Sequence, residues 1–156
     1  MENSVDFEKQ GYQISTDPAK LDIGVIHQYL SQQSYWAQNI PLEVVQRSIA
    51  NSFCFGVYYH AQQIGFARMI TDKATFGYLA DVFILPEHRG KGLSKWLIAT
   101  IHAHPDLQGL RRWMLGTKDA HGLYKQFGWV PLPEEVVGRF MQLHTPDVYG
   151  KGILNR

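Results

Sequence analysis

The sequence holds one cysteine, Cys54, in 156 residues, which excludes an internal disulfide and a zinc site built on several cysteines. Charge is sparse, at 19%, and balanced: 15 Lys and Arg against 14 Asp and Glu leave a formal net charge of +1. That balance argues against a nucleic-acid footprint and against an electrostatic membrane anchor. No stretch approaches the ~20 apolar residues of a membrane helix. Residues 1–10 mix charged and polar side chains with no apolar run, so no leader is expected. No repeat, low-complexity tract or Gly/Ser/Pro-rich linker divides the chain. What is present is apolar: 45% hydrophobic and 13% aromatic residues, enough to build a core and to argue against disorder. The length suits one domain. We therefore expect a cytoplasmic protein of one domain over 1–156, with loose ends at Met1–Gln10 and at Pro146–Arg156, where Gly150 and Gly152 interrupt any pattern.

Local patterns set out the elements. A first helix is expected with Asp17 as cap, Pro18 in its first turn and Leu21, Val25 and Tyr29 on one face. The polar and aromatic stretch Ser31–Asn39 separates it from a second helix opened by Pro41, with Leu42, Val45 and Ile49 as its stripe. Phe53–Tyr59 reads as a strand buried on both faces. Gln63–Ile70 and Tyr78–Leu85 follow as strands of an antiparallel meander, although His60-Ala61 carries no strong turn residue. A helix over Leu93–His104, a short strand at Trp113-Met114-Leu115, a helix over Ala120–Phe127 capped by Asp119 and stopped by Gly128, and a strand over Val137–His144 complete the chain. The pattern predicts a mixed α/β sheet covered by helices.

The most informative stretch runs from Tyr78 to Ser94, where a hydrophobic strand feeds a basic glycine loop that becomes a helix. Backbone N–H groups at a helix start are unpaired and carry the positive end of its dipole, so they suit a diphosphate. Gly90 and Gly92 permit close backbone approach, and Arg89 and Lys91 add positive charge. Two glycines used for turn geometry alone would look the same. The dinucleotide fingerprint and the Walker loop do not fit, because no third glycine occurs before Trp96 and Gly92 follows Lys91.

The run Pro86-Glu87-His88-Arg89-Gly90-Lys91-Gly92 resembles the loop of the GCN5-related N-acetyltransferase (GNAT) superfamily, Arg/Gln-x-x-Gly-x-Gly/Ala. Arg89, Gly92 and Ser94 fill its defined positions, with Ser94 in place of Gly or Ala. The resemblance implies that Val82, Phe83 and Ile84 meet the pantetheine arm of acetyl-CoA, and that Arg89, Gly90, Lys91, Gly92, Leu93 and Ser94 hold its pyrophosphate. It also implies a mostly antiparallel sheet, splayed at the cofactor site. A second segment, Ala120–Trp129, is similar to the family's Ala-x-x-Leu-Tyr-x-x-x-Gly-Phe, with Trp129 for Phe and Thr117 where the family often has Asn. It implies cofactor contacts from Thr117, Ala120 and Tyr124, with the Tyr124 phenol protonating the departing thiolate. By periodicity alone, Tyr124 beside Leu123 and Phe127 reads more readily as packing. The resemblance covers about Tyr12 to His144.

Other candidates carry less. His102 and His104 face different directions on a helix and do not form a metal pair. Cys54 in an apolar strand reads as a core residue. In the family, the segment holding Tyr35 and Trp36 borders the acceptor site, although a generic aromatic pair fits as well; Arg68 and Tyr78 are weaker candidates. Tyr78–Ile84 looks like the spermidine/spermine acetyltransferases, in which a Glu-Asp pair stands at Ala80-Asp81. Only the aspartate remains here, to hold the acceptor amine or pass on its proton; alternatively Asp81 pairs with a neighbour such as Arg68.

The resemblance thus implies transfer of an acetyl group from acetyl-CoA to a primary amine of a small-molecule acceptor, by direct attack in a ternary complex and without a metal. No nucleic-acid or membrane partner is expected, and a homodimer enters by family analogy alone. The rival reading is a catalytically silent acyl-CoA-binding sensor or interaction module.

Overall fold

The computed structural model describes residues 4–150. The chain divides into two compact units, Met1–Gly116 and Thr117–Arg156. Among the described residues of the first unit lie α1 (Ser4–Lys9), β1 (Tyr12–Ser15), α2 (Ile23–Gln28), α3 (Leu42–Ala50), β2 (Phe53–Tyr59), β3 (Gln62–Thr71), β4 (Phe76–Ile84), α4 (Leu93–Ala103) and β5 (Arg112–Met114). The second holds α5 (His121–Lys125) and α6 (Glu134–Val137).

The five strands form one open sheet in the order β1-β2-β3-β4-β5, antiparallel except for β5, which runs parallel to β4. This is the expected mixed α/β architecture. The apolar run of β2 is buried through its middle, Cys54–Tyr58. The helix α2 packs on α3 and β3, and α4 on β4. The apolar face of α4, Leu93, Trp96, Leu97, Ile98 and Ile101, is buried. Short connections join the meander. The β2–β3 turn uses His60 and Ala61, both with positive φ (46° and 70°), although neither is glycine. His60 N–H donates to Gly11 O at 3.0 Å, and the imidazole ring occupies the space that a Cβ on Gly11 would need.

Several expectations are corrected. Met1–Gln10 is not loose throughout: Ser4–Lys9 is helical and Phe7 is buried, its ring stacked on Trp96 at 5.0 Å. Residues 1–3, and Gly152 with the rest of 151–156, lie outside the described residues. The first helix is broken. Asp17 caps only a 3-10 turn, Pro18–Lys20; Leu21 is extended, and Asp22 caps α2 by accepting from Val25 N–H at 3.1 Å. Two aspartate caps five residues apart, with Asp22 N–H tied to the Gln63 Oε1 at 2.6 Å, split one stripe into two short helices. A π turn over Tyr29–Gln33 follows.

The Leu93–His104 helix ends one residue early: His104 is extended, and its Nδ1 accepts from Asp106 N–H at 3.1 Å. Asp119 is not a cap; Thr117 Oγ1 accepts from Ala120 N–H at 3.0 Å instead. The strand expected over Val137–His144 is absent. Pro133 opens the short helix α6, and no described strand pairs with 138–144, so Met141 and Leu143 are fully exposed. An alternating pattern forms a strand only where a sheet edge receives it.

Candidate active site

The glycine loop has the geometry that its sequence suggests. After β4, a 3-10 turn over Pro86–His88 leads to Gly90 (φ 78°) and Gly92 (φ 91°), and Gly92 is the N-cap of the 11-residue helix α4. The first intrahelical bond is Trp96 N–H to Gly92 O at 3.1 Å. The N–H groups of Leu93, Ser94 and Lys95 therefore precede the helical ladder and point out of its positive end. A Cβ on Gly90 would meet no atom within 4 Å, so open space borders the backbone. Lys91 is exposed, whereas the Arg89 side chain turns back: Nε donates to Ile84 O at 2.8 Å and Nη2 to the Tyr29 hydroxyl at 2.9 Å. Arg89 thus ties the loop to β4 and to the π turn, while the N–H groups and Lys91 face the space beyond. His88 is fixed from the other side by Tyr12, whose hydroxyl lies 2.7 Å from Nδ1. Burial first, and Tyr59 second, raise the Tyr12 phenol, which keeps it protonated beside the imidazole.

The strand leading into the loop is irregular where chemistry was expected. β5 pairs with β4 only over Phe76–Tyr78, so from Leu79 to Ile84 that edge has no strand partner among the described residues. On the other edge, Phe66 faces Phe83 and Arg68 faces Ala80. Ala67 alone thus stands opposite both Asp81 and Val82, which is a β-bulge on β4. Bulges of this kind re-aim side chains beside functional sites. Asp81 sits at φ 56°, a left-handed conformation that Asp tolerates better than most side chains, at a cost of about 1–3 kcal/mol.

The carboxylate of Asp81 is held on both oxygens. Arg68 Nε donates to Oδ2 and Trp36 Nε1 to Oδ1, each at 2.8 Å. The Arg68 and Asp81 side chains are only 16% and 9% exposed. Arg68 Nη1 donates to Ser52 Oγ at 3.1 Å. Tyr35 packs edge-on against Trp36 at 5.0 Å. The structure thereby brings Tyr35, Trp36 and Asp81 together, and it also forms the Arg68 pairing that stood as the alternative for Asp81. Tyr78, two residues before Ala80, is exposed. Neighbouring Cys54 is buried; burial pushes its thiol up to about 11 against the pull of Arg68, which makes it a poor nucleophile. Burial also lowers His102, and among the described residues no cluster of His, Cys, Asp or Glu could hold a metal ion.

Two contacts escaped the sequence reading: Tyr29, placed only on a helix face, binds Arg89, and Ser52 binds Arg68. Tyr29 is 60 residues from Arg89, and nothing in the linear pattern marks it except a hydroxyl on an otherwise apolar stripe.

Residues 50–131 match the family model described as the acetyltransferase (GNAT) domain. A protein of Gibberella zeae is 38% identical over 72% of this chain and 75% of its own length. A crystal structure of a GNAT-family protein from Xanthomonas campestris pv. campestris shares 53% identity and a TM-score of 0.85, covering 88% of this chain and 96% of that one. Both carry the name "putative acetyltransferase". The chain belongs to the GNAT acetyltransferase family.

GNAT proteins use acetyl-CoA, and a GNAT structure from Elizabethkingia anophelis holds it; that protein shares the fold alone, at 12% identity and a TM-score of 0.56. The residues of this GNAT chain fit such a ligand: unpaired N–H groups, an open glycine and a lysine suit a diphosphate, and an unpaired strand edge suits an amide-bearing arm. In the second unit, α5 carries Tyr124, which is buried and packs against Trp129 at 5.8 Å, and Gly128 ends the segment at φ 92°. Thr117 and Ala120 meet each other through the bond that replaces the Asp119 cap. No helix among the described residues is long and apolar enough to cross a membrane.

Proposed function

We propose that this GNAT protein is an N-acetyltransferase that moves an acetyl group from acetyl-CoA to a primary amine of a small-molecule acceptor, by direct attack in a ternary complex. The observation that carries the reading is the left-handed pair Gly90 and Gly92 at the mouth of α4, after a strand whose outer edge has no strand partner beyond Tyr78 among the described residues. In this reading the loop Arg89–Ser94 holds the pyrophosphate through the N–H groups that open α4 and the Lys91 ammonium, while the Arg89 N–H closes the turn on Pro86 O, and the open edge at Val82, Phe83 and Ile84 pairs with the pantetheine arm. Thr117, Ala120 and Tyr124 contribute further cofactor contacts. Acetyl-CoA supplies an activated thioester carbonyl.

The residues divide the work as follows. Tyr35 and Trp36 wall the acceptor, and Asp81 stabilises its ammonium and passes the proton through water. The freed amine forms the new C–N bond as the C–S bond breaks. Backbone N–H groups of Val82–Ile84 donate to the carbonyl oxygen as negative charge develops there. Tyr124 gives its phenolic proton to the departing sulfur and recovers one from the proton that the nitrogen sheds as the amide forms. The elevated Cys54 thiol supports direct attack over a covalent acyl-enzyme. The reading places the enzyme in the cytoplasm as one N-acetyltransferase domain.

The test is release of free CoA from acetyl-CoA across a panel of polyamines, amino acids, aminoglycosides and peptide N-termini. Amine-dependent release supports the reading. Tight acetyl-CoA binding without release for any amine replaces it with the acyl-CoA sensor.

A further inference from the structure

We infer that Arg68 is a positioning residue for the acceptor step: it fixes the Asp81 carboxylate in the bulge of β4 and, through that carboxylate, fixes the indole of Trp36. The inference rests on the reading that Asp81 holds the acceptor amine.

Asp81 has a backbone conformation that few side chains adopt, and it lies where β4 carries one residue more than β3. Such a conformation persists only when its surroundings over-determine it. Arg68 supplies the determination. Its guanidinium is a planar fork that spans two acceptors: Nε reaches Asp81 Oδ2 at 2.8 Å while Nη1 reaches Ser52 Oγ at 3.1 Å. Ser52 immediately precedes β2, so the fork links the β2 end of the sheet to the β4 bulge across β3. The second oxygen of the same carboxylate receives the Trp36 N–H, although Trp36 is itself 41% exposed. The Tyr35 and Tyr29 rings pack against the indole, and the Asp81 oxygen is the polar contact that fixes the direction of its N–H. Arg68 therefore sets Asp81, and Asp81 sets Trp36. A plain ion pair would neutralise charge; this one also fixes a direction, because each carboxylate oxygen keeps a second lone pair for an ammonium.

Lysine separates the two roles. Arg68→Lys keeps the charge beside Asp81, but its single nitrogen cannot make both bonds in the geometry of the fork. We expect the acceptor KM to rise about tenfold, the size of one lost charge-assisted hydrogen bond, with kcat and acetyl-CoA affinity nearly unchanged. Ser52→Ala cuts only the outer bond and should raise KM by about two- to threefold. The same variants are read in the free protein through the Trp36 indole N–H resonance, assigned by its loss in Trp36→Phe. A shift of that resonance in Arg68→Lys, with the melting temperature retained, supports the inference even if no amine in the panel is acetylated. That keeps it separable from the transferase reading. An unmoved indole resonance, or an unchanged acceptor KM in an active enzyme, overturns it and leaves Arg68 as a charge partner alone.

Discussion

Tyr29 lies flat on Phe83, with ring centroids 4.0 Å apart and planes inclined by 11°, and the same tyrosine receives the Arg89 guanidinium on its hydroxyl. A residue in the π turn thus connects the last residues of β4 to the glycine loop. Tyr29→Phe keeps the stack and removes the hydroxyl. Arg89 then keeps its bond to Ile84 O, and the loop loses one of its side-chain tethers. We expect acetyl-CoA affinity to fall about threefold to tenfold, with folding stability reduced by about 1 kcal/mol. Calorimetry and denaturant titration on the same preparation check both numbers; unchanged affinity would show that the tether does not shape the loop.

Gly90 and Gly92 separate backbone strain from ligand space. Among the described residues a methyl at Gly90 meets no atom within 4 Å beyond its chain neighbours, so Gly90→Ala carries the cost of its positive φ, about 1–2 kcal/mol. Gly92→Val adds a β-branched side chain at φ 91°, where the proposed pyrophosphate lies. Acetyl-CoA binding should drop sharply in Gly92→Val. Wild-type affinity in a folded Gly92→Val protein would remove the loop from the cofactor site.

Asp81→Asn keeps the side-chain shape and tolerates the left-handed conformation, but its single carbonyl oxygen can accept from only one of Arg68 and Trp36. The bulge should survive while the charge is lost. The expected result is a raised acceptor KM or a depressed kcat, with acetyl-CoA affinity unaltered. Matching acceptor kinetics and pH–rate profiles in variant and wild type would make Asp81 purely structural.

Tyr124→Phe should lower kcat by roughly 10²-fold, the low end for losing a positioned proton donor, and leave acetyl-CoA affinity nearly constant. The measurement needs an acceptor for which chemistry limits turnover. Full turnover by the variant would return Tyr124 to packing against Trp129.

Asp72 gives the chain a pH-dependent turn. Its carboxylate accepts from the Thr75 hydroxyl and from the backbone N–H groups of Thr75, Ala74 and Phe76, which hold it well below the usual carboxylate range. A carboxylate lowered by folding stabilises fully above its unfolded value of ~3.9, and the contribution disappears as the pH falls through the lower folded value. An NMR titration should find an Asp72 midpoint clearly below the ~3.9 of an unfolded aspartate. A midpoint near the unfolded value would refute this, and Asp72→Asn should flatten the acid-side loss of stability.

Much of the site could be read from linear spacing because it is locally encoded. The run from Glu87 to Ser94 contains its own turn residues and its own helix start, and the structure forms it as a unit. The meander was legible for the same reason, since short connections leave few alternatives. The cluster around Asp81 was only half legible. Its charge and its aromatic neighbours could be named, but the bulge depends on register between β3 and β4, and a one-residue mismatch leaves no mark on either strand alone. The break at Leu21 was hidden because Asp17 and Asp22 are both good caps, and the choice depends on Gln63, 41 residues from Asp22. The failure at Val137–His144 has the opposite cause: the alternation is real, but no described strand pairs with that segment.

The hairpin between β2 and β3 has an evolutionary consequence. Because the His60 ring fills the space beside Gly11, the two positions form a mutually exclusive pair. A relative with a larger residue at 11 must shrink or redirect the one at 60, and a relative with glycine or asparagine at 60 is free to vary at 11 only as far as the positive φ there allows, 99° in this chain. Substitutions at the two sites should therefore appear together across the family, although they are 49 residues apart and neither belongs to the proposed chemistry.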